Sequence, residues 1–94
     1  MYKELKYLAQ AYFHQDYDLE ASSPIGAIHN FVRDEPREIR VVLAAEVEAL
    51  LASSPEASQF RALWVDEWAA AYAPSADTEA WRAWFEDVLR ILTQ

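Results

Sequence analysis

The sequence predicts an all-α protein, a small single-domain bundle of about five amphipathic helices over residues 1–94. Three observations carry this. One glycine and four prolines are too few turn residues for an all-β chain of 94 residues. Apolar residues recur at helical spacing in one segment after another. Apolar side chains make up 53% of the chain, with four Trp, five Tyr and four Phe, which is enough to fill one core without staples.

The first helix is expected from Lys3 to Phe13, because Leu5, Leu8, Ala9, Tyr12 and Phe13 form one stripe with Lys3, Glu4, Lys6 and Gln10 off it. The period is lost over His14 to Glu20. Ser23-Pro24 then starts a second helix, the serine accepting from a free first-turn N–H and the proline occupying a position whose N–H would have no partner. Ile25, Ile28, Phe31 and Val32 supply its apolar side, and His29 reads as a half-buried packing residue. Asp34-Glu35-Pro36 breaks this helix and opens a third, to about Leu51, with Ile39, Val42, Leu43, Val47, Leu50 and Leu51 inward. Ser53-Ser54-Pro55-Glu56 repeats the serine–proline start, with Glu56 in the first turn of a fourth helix that should reach Tyr72. Phe60, Leu63, Trp64, Trp68 and Ala71 are its stripe, and Ala69 to Ala71 offer a low-relief patch for another helix. Asp77 or Ser75 caps the last helix, whose stripe of Trp81, Trp84, Phe85, Val88, Leu89 and Leu92 is the clearest in the chain. Short connectors favour neighbouring helices side by side.

Composition narrows function. Sixteen acids against eight bases leave a formal charge of −8, a field that repels nucleic acid and anionic membranes and attracts cationic surfaces. The negative charge concentrates between Asp66 and Asp87, where six acids face only Arg82. No cysteine is present, which fits a reducing compartment, and no apolar run approaches a bilayer span or a signal peptide, so a soluble cytoplasmic protein is expected. Arg33, Arg37 and Arg40 lie among Asp34, Glu35 and Glu38 and read as a solvated ion-pair surface, not a nucleic-acid site. Trp64, Trp68, Trp81 and Trp84 could stack a ligand, but their helical spacing assigns them to the core, with three buried and one at a rim.

The least generic stretch is Tyr12-Phe13-His14-Gln15-Asp16-Tyr17-Asp18-Leu19-Glu20. His14, Asp16 and Asp18 alternate as H-x-D-x-D, donor types that an extended segment could aim at one cation. The same residues could instead hold a folded connector through side-chain to backbone hydrogen bonds. An acid–base pair among them would need a nucleophile, phosphate loop or cofactor motif nearby, and none is written in the sequence.

Together with Tyr7-Leu8, Ser23-Pro24 and Phe31, this run resembles the hallmark of a family of contact-dependent growth inhibition immunity proteins, which typically read Y-F-H-Q-D-W/Y-D near the N-terminus. The match is dense from Leu5 to Phe31 and compatible in pattern beyond. The resemblance implies a small acidic helical bacterial protein, monomeric when free, without cofactor or metal. It implies cytoplasmic binding, one to one, of the cognate C-terminal toxin domain of a surface-delivered effector, and neutralisation by occlusion without turnover. A motif shared by proteins that face different toxins fits a structural role. Tyr12, Phe13 and Tyr17 are therefore assigned to packing, and His14, Gln15, Asp16 and Asp18 to a hydrogen-bonded corner that edges the interface, with Asp16 and Asp18 holding the corner. For the toxin-binding surface itself the expected residues are Asp66, Glu67, Asp77, Glu79, Glu86 and Asp87, which the motif does not reach. The competing readings are a metal-binding protein or small enzyme built on His14, Asp16 and Asp18, and a general helical adaptor.

Overall fold

The computed structural model describes residues 2–94, and the elements follow the expected order: α1 Lys3–Tyr12, α2 Pro24–Asp34, α3 Arg37–Ala52, α4 Ala57–Arg61 and α5 Thr78–Leu92. A 3-10 turn, Tyr17–Leu19, lies between α1 and α2, and a widened π turn, Ala62–Glu67, prolongs α4. No strand occurs among the described residues.

The helices close a ring. α1 packs on α2 and α3, α5 packs on α2 and α3, and α4 lies against α5. Although only Glu35 and Pro36 join them, α2 and α3 therefore sit across the ring and not side by side, contrary to the expectation from short connectors. Pro36, extended at φ −61° and ψ 153°, redirects the chain there.

Local chemistry explains the helix starts. Ser23 Oγ accepts from the Gly26 N–H at 2.9 Å with Pro24 in the first turn, and Asp77 Oδ1 accepts from the Ala80 N–H at 2.8 Å. α1 has no capping side chain of its own. Glu46, from the middle of α3, fills the gap, its Oε1 accepting from the N–H groups of Glu4 and Leu5, each at 2.9 Å.

Two boundaries differ from those the sequence predicts. Ser53 and Ser54 finish α3 and do not start α4: Ser53 Oγ donates to Leu50 O at 2.7 Å, and Ser54 turns the chain in the left-handed region at φ 52°. Glu56 is then the N-cap, in a reciprocal capping box with Gln59, and helix begins only at Ala57. At the other end, the π turn stops at Glu67 and Ala69 reverses at φ 61°, so the helix never reaches Tyr72. The alanine patch is consequently outside any helix. Ala70 is buried, Ala69 and Ala71 are exposed, and the Ala71 N–H donates to Phe13 O at 2.7 Å.

The core joins all five helices. Its centre is aromatic: Phe13 has ring centroids of Tyr17, Trp64 and Trp84 within 5.3–5.6 Å, and Phe60 stacks on Trp81 at 5.7 Å and 2°. All four tryptophans are buried, at 1–6% exposure, so none sits at a rim. Trp64 Nε1 donates to Tyr72 O at 2.9 Å, which pins the chain after the π turn. On α3 the inward stripe is Leu43, Ala44, Val47, Leu50 and Leu51, with Val42 turned outward at 46% exposure beside Val41 at 58%. That helix is apolar on two sides, and periodicity does not tell which side faces α1 and α5.

Candidate partner-binding site

The motif folds as a corner that closes α1 onto α2. Phe13 is wholly buried, Tyr12 and Tyr17 are half-buried against the core, and Gln15, Asp16, Asp18 and Leu19 point to solvent. Backbone bonds define the turn: the Tyr17 N–H donates to His14 O at 2.9 Å, and the Glu20 and Ala21 N–H groups both donate to Tyr17 O at 3.0 Å. His14 is the side chain that braces it. Its Nδ1 accepts from the Asp16 N–H at 3.2 Å, which leaves the proton on Nε2, and Nε2 donates to Glu20 Oε1 at 2.6 Å.

This corrects the expected roles within the motif. The carboxylates of Asp16 and Asp18 make no hydrogen bond among the described residues, so His14 and Glu20, not the two aspartates, hold the corner. Nor does the corner gather metal ligands: among the described residues no three His, Asp or Glu side chains are grouped to hold an ion. His29 is exposed on α2, not half-buried.

Between α1, the corner and α2 lies a concavity of about 390 Å³, lined by Tyr7 and Tyr12 of α1, Tyr17 and Glu20 of the corner, and Asn30 and Arg33 of α2. Both Tyr7 and Tyr12 donate their hydroxyls to Glu35 Oε2 at 2.7 Å. The hydrogen bond to Glu35 holds the Tyr7 hydroxyl above its ordinary pKa, and burial, with Glu35 second, pushes that of Tyr12 up further. Arg33 is held by its neighbour Asp34 through two contacts of 2.8 and 3.1 Å. Glu35 was expected in that ion-pair surface, but it serves the tyrosines. The sequence pattern could not show this, because the two tyrosines lie on α1 and Glu35 ends α2.

The six expected interface acids divide. Asp66 and Glu67 are exposed at the end of the π turn, and Glu79 and Glu86 lie exposed two turns apart on α5. No ion pair ties these four among the described residues. Asp77, by contrast, is engaged as the α5 cap, and Asp87 pairs with Arg90 Nη1 at 2.9 Å.

Fold and surface together define a small all-helical acidic protein with a braced, partly exposed aromatic corner. The chain belongs to the CdiI immunity protein family, whose model matches residues 1–92. Among solved structures, the chain is similar to one in the crystal structure of the CdiA-CT/CdiI complex from Y. kristensenii 33638, at 20% identity and a TM-score of 0.88, over 99% of this chain and 94% of that one. No curated protein matches the chain. No helix among the described residues is long and apolar enough to cross a membrane.

Proposed function

We propose that the chain neutralises one cognate toxin domain in the cytoplasm by binding it one to one and occluding it, without turnover of its own. Membership of the CdiI immunity protein family is the observation that carries this reading. The likeness of its fold to a chain of a CdiA-CT/CdiI complex is consistent with it. The charge supplies the physics. An inhibitor carrying −8 is steered onto a basic toxin surface, and the exposed Asp66, Glu67, Glu79 and Glu86 are free to contribute, with Asp77 and Asp87 adding field from their capped and paired positions.

Expressing the toxin domain encoded beside this chain, with and without the chain, tests the proposal. Cells survive and a one-to-one complex is recovered if it holds. Cell death with no recoverable complex defeats it.

A further inference from the structure

Tyr7 is the largest exposed aromatic among the described residues, at 41%, yet it is not loose. Its ring lies edge-on to Tyr12 at 6.2 Å and to Phe31 at 6.4 Å, and its hydroxyl is tied to Glu35. A rigid, half-exposed tyrosine loses little conformational freedom when a partner covers it, which is why such residues anchor interfaces.

The concavity beside it keeps acceptors open next to the tyrosine rings. Of the charged side chains that line it, Glu20 and Asp34 against Arg33 leave a formal balance of −1. Asp34 holds Arg33. Glu20 Oε2 accepts nothing among the described residues, and Asn30, which gives one of its two amide N–H groups to Glu20 O at 3.1 Å, keeps its oxygen free. Carboxylate oxygens beside tyrosine rings match a planar guanidinium, which donates at its edge and stacks on its face. A volume of about 390 Å³ has room for such a side chain.

We propose that this concavity seats an arginine of the toxin domain, against Tyr7 and Tyr12 of α1, Glu20 of the corner and Asn30 of α2. The proposal rests on the toxin-binding reading above and gives the corner a role separate from that of the exposed acids. Those acids set how fast the complex forms, and the seat sets how long it lasts.

The test measures association and dissociation rates of the full chain with the toxin domain encoded beside it. Two variants are compared with wild type. Tyr7→Ala removes the anchor wall, and Ala11→Arg, at an exposed position lining the concavity, fills the seat with the chain's own guanidinium. Both should raise the dissociation rate at least about tenfold with little change in association rate, and Ala11→Arg should keep the wild-type melting temperature. Substituting the toxin's surface arginines one at a time should identify one whose loss is no longer felt in the Ala11→Arg background. A wild-type chain that fails to bind the toxin removes the partner, and with it both readings. Wild-type binding with both variants within about twofold of it overturns the seat alone. Weakened binding that couples to no arginine overturns the chemistry assigned to it.

Discussion

Glu46 closes the open end of a helix by reaching the Glu4 N–H, 42 residues away in sequence, and nothing about its own neighbourhood suggests it. On α3 it occupies what reads as an ordinary polar position. Two of the first-turn N–H groups of α1 depend on it, so Glu46→Ala should cost about 1–2 kcal/mol and Glu46→Gln less, because an amide oxygen still accepts. Urea unfolding measures both. Asp16 is the converse case, a motif residue that looks structural and whose carboxylate touches nothing. Asp16→Ala should stay within about 0.5 kcal/mol of wild type in the same assay. A loss beyond about 1 kcal/mol would mean that the aspartate braces the corner after all. The two tyrosines on Glu35 predict a pH effect. Each folded-state pKa lies above the ordinary 10.0, so their contribution is fully present below pH 10 and is lost as pH rises through the folded values. Tyr12→Phe should flatten that alkaline decline in thermal stability, and an unchanged decline would remove the pair as its cause.

At the scale of elements, most of the fold is legible in the sequence, and the differences have physical causes. Ser23-Pro24 and Asp77 announce their helices because a cap is a local device, readable within four residues. The second serine–proline pair misleads because the same serines can end one helix as readily as begin another, and Ser54 takes a positive φ that no pattern shows. The π turn escapes because a one-residue change in hydrogen-bond register still keeps Phe60, Trp64 and Trp68 on the buried side over so short a length. Val42 escapes because α3 is apolar on both sides. The site was legible in part. The motif marks the corner, but the Tyr7–Glu35–Tyr12 bridge and the concavity arise only when α1 and α2 are brought together. Ala69 offers a test of the account of the helix end. At φ 61° an alanine carries left-handed strain that glycine does not, so Ala69→Gly should stabilise by up to about 1 kcal/mol. Destabilisation would show that the alanine methyl matters more than the turn.

At the scale of the whole molecule, an aromatic core assembled by five helices leaves the acids outside, so the chain presents a preformed negative body. Preformed inhibitors associate with little change of shape, and their charge acts chiefly on encounter. The exposed positions of Asp66, Glu67, Glu79 and Glu86 make them natural contributors to that encounter. Titrating the toxin domain encoded beside this chain with the purified protein, at several salt concentrations, tests the account most directly. The account predicts that toxin activity ends at one equivalent and that the association rate falls steeply as salt is raised. Toxin activity unaffected by an excess of the protein would contradict it.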